Sequence, residues 1–217
     1  MKLIGMLDSP YVRRVAICLQ LQGIAYEHLP LSVFRNMDAV REINPVIKVP
    51  TLVLDDGQVL MDSTLILQYL SLLRPDASVP ALAGSVRALR LTGLALAACE
   101  KAVQIVYERK LRPLDKQHAP WLERVSMQLH AAWRALEQEC AQLPLPGETG
   151  NIDQAGVTIA VGWSFAQLET PDIVKPAEGP WNGKAVEAMG RTHRAGETIV
   201  VAGGGIAGLT LALALKR

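Results

Sequence analysis

The chain has 217 residues, half of them hydrophobic, enough for one sizeable core or two modest ones. Its formal charge of +1 comes from 22 basic and 21 acidic residues that are interspersed, so no face is set up for nucleic acid or an anionic membrane. Only a short apolar stretch precedes Asp8, too short for a signal-peptide core, so the reading is a cytoplasmic protein.

Residues 2–6 read as a buried strand and residues 10–22 as a helix, with Val12, Val15, Ala16 and Leu19 at helical spacing and Gly23 as its end. A second strand is expected over 26–31, then a helical segment around 37–43 that Asn44 and Pro45 break. Asp55-Asp56-Gly57 joins two short apolar runs and predicts an antiparallel hairpin. After Asp62-Ser63 an apolar helix runs to Arg74-Pro75, so the opening order is βαβαββα. Residues 74–84, with two prolines, read as a linker.

Everything next is helical: one long helix over 85–112 ended by Pro113, then a stripe of Trp121, Val125, Leu129, Trp133, Leu136 and Cys140 facing a core. PLPG at 144–147 breaks the pattern, and Asp153 caps a further apolar helix containing Val157, Ala160, Val161 and Phe165. The three cysteines, Cys18, Cys99 and Cys140, lie far apart without a CxxC pair and read as reduced core thiols. The four histidines show no ligand spacing, so no metal site is expected.

Three short stretches carry chemistry. Ser9-Pro10 is a good helix start, and a hydroxyl at the positive end of a helix is also placed to donate to a thiolate. Both readings use the same geometry. Val49-Pro50 opens a strand, where a proline is tolerated, and a cis bond there would turn the Val49 backbone outward to pair with an extended peptide. Asp62-Ser63 precedes a helix; it serves as a cap, or as a seat for an amino-acid head group, hydroxyl to carboxylate and aspartate to ammonium.

In their order and spacing, SPYVRRV, NPVIKVPTL and MDSTLILQYL within the first 73 residues, followed by a helical domain, resemble the cytosolic glutathione S-transferases, with a bacterial, serine-type active site. The resemblance implies an α/β thioredoxin-like domain over 1–73 and an all-α domain over 85–169. It implies that Ser9 faces the glutathione sulfur, with Tyr11 as the rival hydroxyl. Val49 would pair with the tripeptide's cysteine through its backbone, Pro50 would be cis, and Asp62 and Ser63 would hold the γ-glutamyl end. Arg35 or Lys48 would meet the glycine carboxylate, although both also read as plain exposed charges. Val103 and Tyr107 would line the site of a small apolar electrophile, the second substrate, and the family implies a homodimer. Two departures stand out: Ile47 occupies the place of a glycine in the family's NPxGKVP, and Gly156 that of an aspartate in a helix-capping motif.

The tail, 170–217, departs further. An apolar strand, then Gly203, Gly205 and Gly208 in GxGxxG spacing, then a helix, resemble the opening of an FAD-dependent monooxygenase domain. With no second strand or acidic residue after it, no FAD site is expected. Residues 198–215 form an uncharged run of 18, near the lower length of a membrane span, but three consecutive glycines weaken a helix there and no membrane partner is expected. The leading function is glutathione conjugation. The alternatives are a non-catalytic binding or regulatory protein on the same fold, and a glutathione-dependent thiol reductase or isomerase; a thiol–disulfide enzyme would need a cysteine where Ser9 stands.

Overall fold

The computed structural model describes residues 1–73, 85–143, 153–174, 200–202 and 210–212. The expected linker at 74–84 and the PLPG break at 144–147 fall outside them, as does most of the tail. The chain divides into two units, Met1–Gly84 and Ser85–Arg217.

The first unit runs β1 (Lys2–Ile4), α1 (Pro10–Leu21), β2 (Glu27–Leu29), α2 (Met37–Ile43), β3 (Thr51–Val53), β4 (Val59–Leu60) and α3 (Ser63–Leu73). Its four strands stand in the order β2-β1-β3-β4, with β1 and β2 parallel and the other two pairings antiparallel. This is the thioredoxin-like βαβαββα arrangement expected. The parallel pair needs a crossover, which α1 supplies, while β3 and β4 need only a tight turn. That turn is the Asp55-Asp56-Gly57 segment: Gly57 sits at φ +86, and the Leu54 N–H donates to the Gln58 carbonyl at 2.8 Å. The first and second strands are shorter than the expected 2–6 and 26–31. Gly5 leaves β1 at φ +132, and β2 keeps only three residues.

The core of this unit follows the period of each element. Leu3, Ile4 and Leu52 from the sheet, Val12, Val15, Ala16 and Leu19 from α1, and Ile66, Leu67 and Leu70 from α3 are fully buried. Helices α1 and α3 pack against each other, and α1 also against β1. Cys18 belongs to this core.

The second unit is helical, with α4 (Val86–Leu111), a 3-10 turn at Leu114–Lys116, α5 (Ala119–Gln142) and α6 (Gln154–Glu169). Both α5 and α6 pack on α4. Ser85 caps α4 and Asp153 caps α6, its Oδ1 accepting from the Gly156 N–H at 2.7 Å. The glycine that replaces an aspartate at 156 thus still donates to the cap, and what is absent is the reciprocal side-chain bond. The α5 stripe is buried from Val125 to Cys140, but Trp121 is 37% exposed and does not join it. It stands in the first turn of α5. Trp133 meets Trp163 edge to face at 5.1 Å between ring centroids.

In the tail, β5 (Val200–Ala202) pairs antiparallel with β6 (Thr210–Ala212), and β6 packs against α6. Residues 210–212, expected within the helix after the glycines, are strand, and the rest of that expected helix lies outside the described residues. Leu209, Leu211 and Leu213 alternate with small residues, a period of two that suits a strand as well as a buried helix. A βαβ unit needs a second parallel strand, whereas β5 and β6 are antiparallel.

Candidate active site

Strand direction brings four loops to one edge of the sheet. Ile4 at the end of β1 lies opposite Thr51 at the start of β3, Leu60 at the end of β4 lies opposite Leu52, and Leu29 at the end of β2 lies beside Ile4. The segments 5–9, 30–36, 44–50 and 61–62 all leave this edge, so Ser9, Arg35, Lys48, Val49, Pro50, Asp62 and Ser63 cluster from distant parts of the chain.

Ser9 is half-buried and caps α1 in an extended conformation, φ −67 and ψ 126, with Pro10 as the first helical residue. Its Oγ accepts from the Val12 N–H at 3.4 Å. A hydroxyl has two acceptor lone pairs and one proton, so capping leaves the proton available to a ligand. The structural and the chemical reading of this serine are compatible. The loop ahead of it is braced by Arg13, whose Nε donates to the Leu7 carbonyl at 2.7 Å. Burial lowers the Arg13 pKa, and nearby Asp8 partly offsets this. Tyr11 is half-buried one residue inside the helix.

Gly5 connects this corner to the next. A methyl group at its Cα would lie 2.6 Å from Val12 Cγ2 and 2.9 Å from Val49 Cβ, closer than carbon atoms approach. Gly5 therefore lets α1 and the Val49 loop come together. Nothing in the local sequence singles it out beyond a glycine at the end of a strand, which can mark a close backbone approach.

The Val49–Pro50 peptide is cis; Val49 is half-buried and Pro50 buried. Among the described residues, neither the N–H nor the C=O of Val49 takes a hydrogen-bond partner. The loop below it is held by Asn44, which is 3% exposed. Its amide donates to the Thr51 hydroxyl at 2.9 Å, the Lys48 carbonyl at 3.3 Å and the Met61 sulfur at 3.2 Å, and its Oδ1 accepts from the Val46 N–H at 3.1 Å. The asparagine that looks like a helix breaker is the hub that fixes the loop. Ile47 sits at φ +54, the left-handed region, where a β-branched residue is a genuine outlier. The turn keeps the conformation a glycine would take, at a cost of about 1–2 kcal/mol.

At the third corner Asp62, not Ser63, caps α3. Its Oδ1 accepts from the Thr64 N–H at 2.8 Å and the Leu65 N–H at 3.4 Å, and among the described residues its Oδ2 has no partner. The Met61–Asp62 peptide is also cis. Ser63, 3% exposed, accepts from Arg14 Nη1 at 3.1 Å. Sequence reasoning missed Arg14, because one arginine of a pair that looks solvated proves to be 1% exposed.

Arg35 and Lys48 are exposed, in the loops that precede α2 and β3. Val103 and Tyr107 stand one turn apart on α4, in the other unit; Val103 is half-buried, Tyr107 is 45% exposed, and burial raises the pKa of its phenol. All three cysteines are buried, and burial above all pushes the Cys140 thiol up to about 11. Among the described residues no group of three or more His, Cys, Asp or Glu is placed to hold a metal ion, and no helix is long and apolar enough to cross a membrane.

Comparison with known proteins agrees with this fold. Residues 3–78 match the family model of the glutathione S-transferase N-terminal domain. The uncharacterised GST-like protein YibF of Escherichia coli K12 is 29% identical over 187 residues, 82% of this chain and 92% of that protein. Maleylacetoacetate isomerase of Pseudomonas aeruginosa is 35% identical over 108 residues, so this chain spans about half of its length, 50%. A crystal structure of a glutathione transferase family member from Pseudomonas fluorescens Pf-5, with bound glutathione, superposes with a TM-score of 0.70 at 29% identity, covering 83% of this chain and 89% of that one. The chain has the glutathione S-transferase fold, a thioredoxin-like domain followed by a helical one.

Proposed function

We propose that the chain is a glutathione transferase that binds the tripeptide along the loop edge of its first unit and activates its sulfur with Ser9. The observation that carries this reading is the coincidence, at one edge, of a hydroxyl proton at the start of α1, an unpaired peptide group at Val49, and the Asp62–Ser63 start of α3. These three features match an extended tripeptide in kind: a thiolate, a backbone to be paired in strand fashion, and a head group with a carboxylate and an ammonium. The bound glutathione in a relative's structure supports the same reading.

The chemistry asked of the protein is modest. A free thiol of pKa near 8.5 is only a few per cent ionised at neutral pH. One hydrogen bond to the anion, about 1.5–3 kcal/mol, together with a helix terminus, lowers that pKa by roughly two units. The thiolate then attacks a carbon electrophile: a carbon–sulfur bond forms, and the leaving group departs with its electron pair or the electron pair of a double bond shifts away. In this reading Val49 orients the cysteinyl backbone, the free Asp62 oxygen accepts from the ammonium and Ser63 donates to the carboxylate. Arg35 or Lys48 meets the glycine end, Tyr11 is the alternative thiolate donor, and Val103 and Tyr107 belong to the electrophile's site. A homodimer in the cytoplasm completes the proposal.

A second reading, isomerisation assisted by glutathione, is favoured by the similarity to maleylacetoacetate isomerase. The experiment that separates the readings couples retention on immobilised glutathione to activity toward a chlorinated nitrobenzene. Retention with conjugate formation supports the transferase, and retention without conjugation of a panel of electrophiles refutes it. Turnover of a cis-unsaturated acid with no loss of glutathione selects the isomerase.

A further inference from the structure

Arg14 lies one turn into α1 with only 1% of its surface exposed. Burying a guanidinium costs several kcal/mol unless it is well paired, and a residue that merely filled this core would be aliphatic. Its Nη1 donates to the hydroxyls of Ser63, at 3.1 Å, and Thr64, at 3.3 Å, across 49 and 50 residues of sequence. Ser63 itself is buried, and among the described residues its own proton finds no acceptor.

A serine hydroxyl has a single proton. When a cation occupies one of its lone pairs, that proton is turned away from the cation and is polarised toward whatever acceptor it meets. We propose that Arg14 is a positioning residue for the γ-glutamyl carboxylate of glutathione, acting through Ser63: it orients and strengthens the Ser63 hydroxyl as a donor. The guanidinium suits this role because the two protons of its Nη1 reach both hydroxyls in a fixed planar geometry. The inference rests on the reading of Ser63 given above. It assigns the buried charge on α1 to the head-group corner and not to the sulfur.

The test measures glutathione affinity for the wild-type protein and for Arg14→Met, Ser63→Ala and the double variant. A second ligand, γ-aminobutyryl-cysteinylglycine, lacks the α-carboxylate but keeps the rest. Arg14→Met is expected to weaken glutathione about 10-fold, the equivalent of one charge-assisted hydrogen bond, and the analogue hardly at all. In the Ser63→Ala background the same substitution is expected to change affinity by less than about threefold. Equal weakening of both ligands, or a full effect without the Ser63 hydroxyl, would show that Arg14 only supports the fold and would overturn the proposal alone. Unchanged affinity in Ser63→Ala would overturn the Ser63 reading and the proposal with it. If Arg14→Met does not fold, Arg14→Lys carries the test. The lysine keeps the charge and loses the planar donor geometry, so a loss of about threefold confined to glutathione supports the proposal, and no loss, or an equal loss for the analogue, refutes it.

Discussion

Ile47 offers a prediction whose sign separates backbone strain from chain entropy. At φ +54 any residue with a Cβ atom crowds the following carbonyl, at a cost of roughly 1–2 kcal/mol that glycine escapes. At an ordinary backbone position the order is reversed, because glycine gives the unfolded chain more freedom and costs about 0.4–1 kcal/mol relative to alanine. Comparing Ile47→Gly with Ile47→Ala removes the contribution of the isoleucine side chain, since both variants lose it. The strain term exceeds the entropy term here, so Ile47→Gly is expected to be more stable than Ile47→Ala by roughly 0.5–1 kcal/mol. Urea unfolding of the two variants, followed by far-ultraviolet circular dichroism, reads this as a higher midpoint at unchanged slope. An alanine variant as stable as the glycine variant would refute the reasoning, because it would mean that the loop ahead of Val49 is not held in the left-handed turn.

Gly5→Ala is expected to cost at least about 3 kcal/mol and to weaken glutathione binding as well, since the added methyl strikes both Val12 and Val49; thermal unfolding and a binding titration check the two parts. Asn44→Ala removes the hub of the Val49 loop and is expected to destabilise by about 2–3 kcal/mol, and a loss below about 1 kcal/mol in urea unfolding would show that the network is redundant. The folded protein should resist alkylation at Cys18, Cys99 and Cys140, which mass spectrometry after brief exposure to iodoacetamide would show, with labelling only on unfolding. Burial holds the Cys140 thiol at about 11 against an ordinary 9.0. Its unfolded form therefore loses the proton first as pH rises, so the contribution of Cys140 is intact below pH 9 and falls away between about 9 and 11. Cys140→Ala should flatten that alkaline loss, and an unchanged pH profile would contradict it.

Several parts of this architecture are written in short stretches of sequence. The Asp55-Asp56-Gly57 turn, the Ser9-Pro10 start of α1 and the acid ahead of α3 are local devices, each defined by a few neighbouring residues, and each stands where the local signal puts it. The burial of the α5 stripe follows from its period, apart from Trp121 in the first turn. What the sequence does not disclose depends on distant partners. Gly5 is needed because Val49, 44 residues away, packs against it, and Arg14 is buried because α3 brings Ser63 to it across 49 residues. Asn44 reads as a breaker until Thr51 and Met61 arrive beside it. The tail shows the opposite difficulty: alternating leucines after a glycine cluster satisfy a helix and a strand equally, and pairing with β5 decides between them.

In the proposed function, thiolate activation depends on the Ser9 proton meeting the glutathione sulfur. The most direct measurement is the pKa of bound glutathione, followed by the ultraviolet absorbance of its thiolate, in the wild-type protein and in Ser9→Ala with tripeptide saturating in both. Loss of that hydrogen bond is expected to raise the bound thiol's pKa by about one to two units, while tripeptide affinity changes little because Val49, Asp62 and Ser63 remain in place. An identical titration in the two proteins would contradict the account and leave Tyr11 as the hydroxyl to examine.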